Sequence, residues 1–142
     1  MKLVPLCEIE MHYTWVDFVD FGAGGQYVGT LDGVVKGDRL NGTVKFVNVP
    51  PKRPDNVNCP TLRGVLTTAD GAKVYLELNG IALLRKADNA RLFTTSLLIR
   101  SGDSRYAWAN SIFGTLEGIL NNTTDVALAR AYSCENELTT LP

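Results

Sequence analysis

The sequence is poor in the residues that build metal sites and disulfide frameworks. It contains one histidine and three cysteines among 142 residues. Cys7, Cys59 and Cys134 are far apart and form no CxxC pair, which indicates reduced thiols rather than a disulfide framework or a zinc site. His12 stands alone, whereas a histidine-centred metal site needs several imidazoles. We therefore expect no metal site and a cytoplasmic protein.

A charge excess and a long apolar run are also missing. The chain has 14 basic and 15 acidic residues and a formal net charge of −1, whereas nucleic-acid-binding proteins concentrate Lys and Arg on one surface. No run approaches the ~20 apolar residues that cross a bilayer. The apolar stretch at the start stops at Cys7-Glu8 and is too short for a secretory signal. We expect neither a nucleic-acid nor a membrane partner.

Sequence motifs for cofactors and activated nucleophiles are absent as well. No Gly-x-Ser-x-Gly elbow occurs, although many serine hydrolases need one to present the nucleophile. Gly22, Gly24 and Gly25 are followed by neither the lysine nor the helix of a phosphate-binding loop. The sequence therefore predicts no cofactor.

Short extended segments separated by Gly, Asp, Asn and Pro fill the chain. Residues 6–19 alternate with a period of two, and one face carries Cys7, Ile9, Met11, Tyr13 and Trp15. Asp70-Gly71 between two extended segments is a strong hairpin signal, and mid-strand glycines suit a coiled sheet. We predict one all-β domain over residues 1–142. It is a single antiparallel β-barrel of about eight to ten strands, with a β-sandwich as the alternative and a weak helix candidate at residues 82–90.

The segment Arg105–Asn110 attracts most interest as a ligand platform. As a strand, it would place Tyr106, Trp108 and Asn110 on one face, because side chains alternate along a strand. Two aromatic rings beside a carboxamide would form a floor for an organic ligand. The same face would also suit a well-packed core strand, so both interpretations stay open.

Four motifs occur in the order typical of one family. They are Gly25–Gly33, Arg53-Pro54-Asp55-Asn56, Thr68–Ala72 and Arg105–Asn110, and Glu117-Gly118 follows them. With these motifs the chain resembles the family named domain of unknown function 3237, over nearly its whole length. The resemblance implies a compact antiparallel β-barrel, often oligomeric, without an agreed biochemical role.

The chain departs from that family pattern at three positions. Asn56 replaces the usual Gly, Ala109 replaces the usual Leu, and Arg63 stands where many relatives carry His. If that His performs chemistry elsewhere, this chain lacks it or uses a permanently charged donor. The smaller Ala109 would enlarge a neighbouring pocket only if its side chain points inward.

Ionisable residues on the predicted strands are candidates for proton chemistry. Tyr75 and Glu77 share a face opposite the apolar Val74, Leu76 and Leu78. By default the apolar face fills the barrel and the polar face meets solvent. In the other arrangement Glu77 lines a pocket, where it would suit general acid or base work.

Arg53, Asp55 and Arg63 flank a proline-rich loop at one expected barrel mouth. An arginine there would clamp a carboxylate or an enolate through its forked donors. The competing interpretation is a contact between Arg53 and Asp55 that only fixes the loop.

Our leading hypothesis is a cofactor-independent enzyme that isomerises, cyclises or eliminates a small organic molecule. Glu77 or Asp55 would move the proton, and Arg63 or Arg53 would stabilise negative charge. The ligand would be held by Tyr75, Tyr106, Trp108 and Asn110. The alternatives are a non-catalytic carrier barrel for a hydrophobic metabolite and a purely structural domain. Exposed strands make a homo-oligomer reasonable.

Overall fold

The computed structural model describes residues 1–138, and these form nine strands and one 3-10 helix. The strands are β1 (Lys2–Asp20), β2 (Gly25–Lys36), β3 (Gly42–Asn48), β4 (Pro51–Lys52), β5 (Thr61–Thr68), β6 (Lys73–Arg85), β7 (Ala90–Arg100), β8 (Phe113–Asn121) and β9 (Val126–Glu135). The 3-10 helix spans Ser104–Ser111, between β7 and β8. None of the helical segments in this part of the chain is long and apolar enough to cross a membrane.

Eight of the strands close into an antiparallel barrel. Around the ring they follow the order β1-β2-β3-β5-β6-β7-β8-β9, and β1 pairs with both β2 and β9 to complete the circle. The two-residue strand β4 is added to β2. Closure satisfies the hydrogen-bonding groups that an open sheet would leave at its edges. The predicted barrel is confirmed, and the sandwich alternative is wrong.

The alternation in the sequence decides which face of each strand is inside. In β6, Val74, Leu76 and Leu78 are fully buried, whereas Lys73 and Tyr75 are exposed. Burying each such side chain contributes about 1.5–3 kcal/mol. The default arrangement, with the apolar face inside, is therefore the one that forms.

Two mid-strand glycines make room for aromatic rings inside the barrel. A Cβ on Gly64 would lie 2.3 Å from a ring carbon of Phe46, and one on Gly118 would lie 2.2 Å from a ring carbon of Phe93. These distances are far below van der Waals contact. The two glycines thus let large side chains fill a narrow interior to normal packing density.

One end of the barrel is closed by the 3-10 helix, which places Tyr106 and Ala109 in the core. The Asp103 side chain caps the helix by accepting a hydrogen bond from the backbone N–H of Arg105 at 2.9 Å. The predicted strand at residues 105–110 is therefore wrong. A side-chain cap and two alanines favour a helical turn, and this turn buries every third residue rather than every second.

The weak helix candidate at residues 82–90 is also wrong. Ala82 to Arg85 continue β6, and Ala90 begins β7. The two strands pair directly across the turn, with Arg85 opposite Ala90. Pairing on both sides of the segment outweighs the weak helical propensity of its residues.

Enlarging Ala109 to leucine is expected to destabilise the protein by about 1–3 kcal/mol, because this side chain is completely buried beneath the helix. Urea unfolding followed by circular dichroism measures the change. Ala107→Leu is the matched control, since Ala107 lies on the exposed side of the same helix. Equal stability of the two variants would contradict the tight packing of this closed end.

Candidate functional site

The other end of the barrel, the open mouth, is crossed by residues 50–60, which we call the strap. The strap is fixed at both sides: β4 pairs with β2, and Asn58 exchanges two backbone hydrogen bonds with Ala82 at 3.2 and 2.8 Å. These bonds satisfy backbone groups of a proline-rich segment that cannot form a regular strand. They also bring the Asn58 side chain against the barrel interior.

Two adjoining spaces lie beneath and beside the strap. An inner cavity of about 60 Å³ meets an outer cleft of about 310 Å³. The residues that line both are Tyr13, Pro50, Asn58, Arg91 and Leu120. The inner floor is apolar, formed by Met11, Leu31, Leu62 and Phe93. The cleft walls include Val16, Tyr27 and Leu84. A few convergent polar groups in an otherwise apolar cavity are typical of small-molecule sites.

Tyr13 is held so that its hydroxyl proton points to no protein acceptor. The backbone N–H of Thr61 donates to Asn48 Oδ1 at 3.0 Å, which fixes the carboxamide. Asn48 Nδ2 then donates to the Tyr13 hydroxyl oxygen at 2.8 Å. Within residues 1–138 the Tyr13 O–H donates to no other group. It is therefore free to donate to a ligand.

The environment of Tyr13 favours its neutral form. Burial raises the pKa of this phenol above its ordinary value, and the nearby charge of Asp125 adds to the effect. The hydrogen bond from Asn48 acts in the opposite direction and is outweighed. A protonated phenol can donate a hydrogen bond to a carbonyl oxygen or protonate a developing anion.

Asn58 contributes an acceptor that has no partner. Its Oδ1 atom is buried and accepts no hydrogen bond within the described residues. Leaving a buried acceptor unpaired costs about 1–3 kcal/mol. Because Asn58 lines both the cavity and the cleft, a hydroxyl group of a bound molecule would satisfy this atom.

Arg91 supplies the positive charge of the open mouth. It lies on the inward register of β7, two residues before Phe93, and its guanidinium donates to the carbonyl oxygen of Asn56 at 2.8 Å. Among residues 1–138, no Asp or Glu lines the cavity or the cleft. A guanidinium keeps its charge in proteins, so Arg91 is the cation of this lining, and the negative charge of Asp125 lies near Tyr13.

The strap itself is braced by Arg53 and Asp55. Arg53 Nε donates to Asp55 Oδ1 at 3.1 Å, and a second guanidinium nitrogen donates to Oδ2. The bond from Arg53 holds the pKa of Asp55 below its usual value. Asn56 follows with a left-handed backbone, φ 67°. The Arg53–Asp55 pair thus fixes this loop, in which the carbonyl oxygen of Asn56 accepts the hydrogen bond from Arg91.

The structure brings Arg63, Tyr75 and Glu77 together on the outer face of the barrel. An Arg63 guanidinium nitrogen lies 3.1 Å from Glu77 Oε1, and the Tyr75 hydroxyl donates to Glu77 Oε2 at 3.3 Å. None of the three lines the cavity or the cleft of the open mouth. A partly exposed ion pair of this kind contributes little to stability.

Tyr106, Trp108 and Asn110 lie at the closed end. The Tyr106 hydroxyl donates to Asp70 Oδ1 at 2.8 Å, and the Arg39 guanidinium stacks 3.7 Å from the centre of the Trp108 ring. Asn110 exchanges two hydrogen bonds with the backbone of Ser101, at 2.8 and 2.9 Å. The polar atoms of Tyr106 and Asn110 are therefore engaged within the protein.

The four polar residues on which the site chiefly depends were not predicted from the sequence. Tyr13 appeared only as one member of the apolar row of β1, and Asn48, Asn58 and Arg91 were not singled out. One usable signal was Asn48, which continues the buried alternation of Val44 and Phe46. A carboxamide at an inward position must find a hydrogen-bond partner.

The described part of the chain contains no group of three His, Cys, Asp or Glu side chains that could hold a metal ion. The polar side chains that line the open mouth are two phenols (Tyr13 and Tyr27), four carboxamides (Asn48, Asn58, Asn89 and Asn122) and the Arg91 guanidinium. A guanidinium is a poor neighbour for a cation, so this set suits an organic ligand.

Known structures share the barrel. The chain superimposes on a β-barrel-like protein from Acinetobacter baumannii with a TM-score of 0.83 and 16% identity, over 94% of this chain and 96% of that one. A conserved protein of unknown function from Rhodopseudomonas palustris gives a TM-score of 0.82 and 18% identity, over 93% and 96%. An enzyme from Penicillium herquei gives a TM-score of 0.62 and 16% identity, over 93% of this chain and 98% of that one.

Sequence comparison does not assign the chain to a family. No family's sequence model matches the chain, and no curated protein matches it either. At these levels of identity, the structural similarities establish the β-barrel fold alone.

Proposed function

We propose that the chain is a cofactor-independent enzyme for a small organic molecule, with its site in the open mouth. The reaction is an isomerisation, a cyclisation or an elimination that passes through an enol or an enolate. The observation that carries this proposal is the Tyr13 hydroxyl, which Asn48 holds as a free donor at the edge of the cavity. The likeness to a barrel described as an enzyme supports catalysis as a possible use of the fold.

In this mechanism Tyr13 donates a hydrogen bond to the substrate carbonyl oxygen, and Arg91 stabilises the negative charge that develops there. Asn58 accepts a hydrogen bond from a substrate hydroxyl group. Within the described residues, the lining of the cavity and the cleft offers no carboxylate or imidazole as a base. The carbon-bound proton therefore passes to water or to an ionised group of the substrate itself, and Tyr13 supplies the acid side of the reaction.

In this proposal Tyr13 takes the proton-transfer role predicted for Glu77, and Arg91 takes the charge-stabilising role predicted for Arg63. Arg63 and Glu77 lie on the outer face of the barrel and do not line the cavity. A residue that transfers a proton must lie within hydrogen-bond distance of the reacting atoms. Asp55 and Arg53 keep a supporting role, because they brace the strap that bears Asn56 and Asn58.

We also propose that the chain is a divergent member of the domain of unknown function 3237 family. The order of the four motifs supports this, together with the likeness to small barrels of unknown function. A sequence profile built from close homologues of this chain tests the assignment. The profile should align Asp70-Gly71 and Arg105–Asn110 with the corresponding family motifs.

A carrier barrel for a hydrophobic metabolite is the alternative. The apolar walls at Val16, Tyr27 and Leu84 favour binding of an apolar body whether or not a reaction follows. In a carrier, Tyr13 and Arg91 would only orient the ligand.

Hydrogen–deuterium exchange separates the two functions without knowledge of the natural substrate. A panel of aryl ketones is incubated with the protein in D₂O, and loss of the α-proton signals is followed by ¹H NMR. We expect at least one ketone to exchange about tenfold or more faster than in buffer. Ketones that bind in the mouth without faster exchange would favour the carrier.

A further inference from the structure

We infer that the ligand of the open mouth is a planar, apolar molecule bearing an anionic oxygen, of the carboxylate or enolate type. This inference deepens the proposed function and rests on it only for the location of the site. It follows from three features of the lining: its charge, its hydrogen-bonding pattern and the shape of the space.

The charge of the lining is unusual for this chain. Its eight arginines fall into distinct environments, and five lie within 4.0 Å of a carboxylate: Arg53, Arg63, Arg85, Arg105 and Arg130. Arg39 stacks on Trp108. Arg91 and Arg100 have no carboxylate partner within the described residues, and of these two only Arg91 lies on the inward face of β7, where it lines the cavity and the cleft. Among residues 1–138, an anion entering this space would meet the Arg91 guanidinium and no acidic lining residue; the nearby negative charge is that of Asp125, beside Tyr13.

The hydrogen-bonding groups around this charge match an oxygen anion. Tyr13 offers an O–H that has no acceptor in the part of the chain the structure describes, and Arg91 offers the guanidinium N–H groups not used by the Asn56 carbonyl. Asn58 Oδ1 adds one unpaired acceptor. Two donors therefore meet at the negative oxygen, and the acceptor suits a neighbouring hydroxyl. Charge-assisted hydrogen bonds of this kind are stronger than neutral ones.

The shape of the space places the apolar body of the ligand in the cleft. Tyr13, Asn58 and Arg91 line both spaces and therefore stand where they adjoin. The inner cavity of about 60 Å³ admits only a small group. The outer cleft of about 310 Å³ is lined by Val16, Tyr27 and Leu84 and also by Asn89 and Asn122. Its apolar side chains suit a flat ring system of one or two rings.

The test uses 2-naphthoate and 2-naphthamide, which have nearly the same shape and differ in charge. Each is titrated into the full chain at low salt while ¹H–¹⁵N spectra record the side-chain signals of Asn48, Asn58 and Arg91. We expect naphthoate to bind about tenfold or more tightly than naphthamide, with the largest shifts at these signals. Arg91→Leu should remove this preference.

Arg100→Leu is the matched control, because Arg100 lies on the same strand but on its exposed face; it should leave the preference unchanged. Equal binding of both compounds at the open mouth would overturn the anionic class and leave the proposed site intact. If neither compound shifts the signals of the open mouth, the ligand class and the site both fail. A preference that persists in Arg91→Leu would overturn the role of Arg91.

Discussion

Tyr13→Phe is expected to slow the proton exchange of a responsive ketone by about 10²-fold or more, the usual effect of losing a general acid. The substitution removes only the hydroxyl group, so the ring continues to pack against the core. Ligand binding should weaken far less than the rate, because the apolar walls and Arg91 remain. The rates come from ¹H NMR in D₂O, and the affinities from the same titrations.

Tyr75→Phe is the control for this experiment. It removes a tyrosine hydroxyl from the outer face, where the group donates to Glu77, and it should leave the exchange rate unchanged. A Tyr13→Phe variant with full activity would remove this phenol from the mechanism. Loss of activity in Tyr75→Phe would instead indicate that the reaction takes place at Arg63, Tyr75 and Glu77 on the outer face.

The pH dependence should follow from the same residue. Burial raises the pKa of Tyr13 above its ordinary value, so its neutral, proton-donating form persists to a higher pH than that of an ordinary tyrosine. The component of the rate that depends on Tyr13 should therefore fall at a higher pH than the ionisation of an ordinary tyrosine would produce, as pH-dependent exchange rates measured by ¹H NMR would show.

Gly80→Ala is expected to lower the free energy of unfolding by about 3 kcal/mol or more. A Cβ at this position would lie 1.9 Å from the backbone oxygen of Thr94 and 2.6 Å from the Cα of Thr95. Both atoms belong to the paired strand β7, so relief requires the strands to separate. Domains are stable by only about 5–15 kcal/mol in total, which makes this a severe loss.

Gly102→Ala provides the matched comparison, because a Cβ on Gly102 would meet no atom within 4 Å. The free energy of unfolding of Gly102→Ala should stay within about 0.5 kcal/mol of that of the parent protein. Urea unfolding curves of the three proteins give the free energies. If Gly80→Ala were as stable as Gly102→Ala, β6 and β7 could not approach as closely as the structure shows.

The open mouth could be foreseen only in part. The alternation of β1 predicts that Tyr13 lies on the same face as Ile9 and Met11, and in the structure Tyr13 packs against the core with them. This prediction is possible because alternation is a local property. Trp15 was placed on the same row and is instead exposed, since an irregularity in the pairing of β1 with β2 between Tyr13 and Trp15 reverses the side-chain direction. A one-residue slip of this kind leaves no mark in the sequence.

The remaining groups of the site depend on contacts between distant segments. Asn58 reaches the interior because the strap exchanges hydrogen bonds with Ala82 on β6. Arg91 is oriented by the carbonyl of Asn56, far away in sequence. Proline and asparagine in the strap predict a loop, but not the strand across which the loop lies.

The sequence by itself determined an all-β fold of antiparallel strands and the apolar inner face of strands such as β6, because a period of two records the burial of each residue locally. The choice of a barrel over a sandwich was decided by the pairing of β1 with both β2 and β9. The tertiary structure decided which end of the barrel is open. A capped 3-10 turn with Tyr106 and Ala109 fills one end, and the strap leaves Tyr13, Asn58 and Arg91 around a cavity at the other. Both outcomes arise from packing between segments that are distant in sequence, and such packing is settled only when the ring of strands closes.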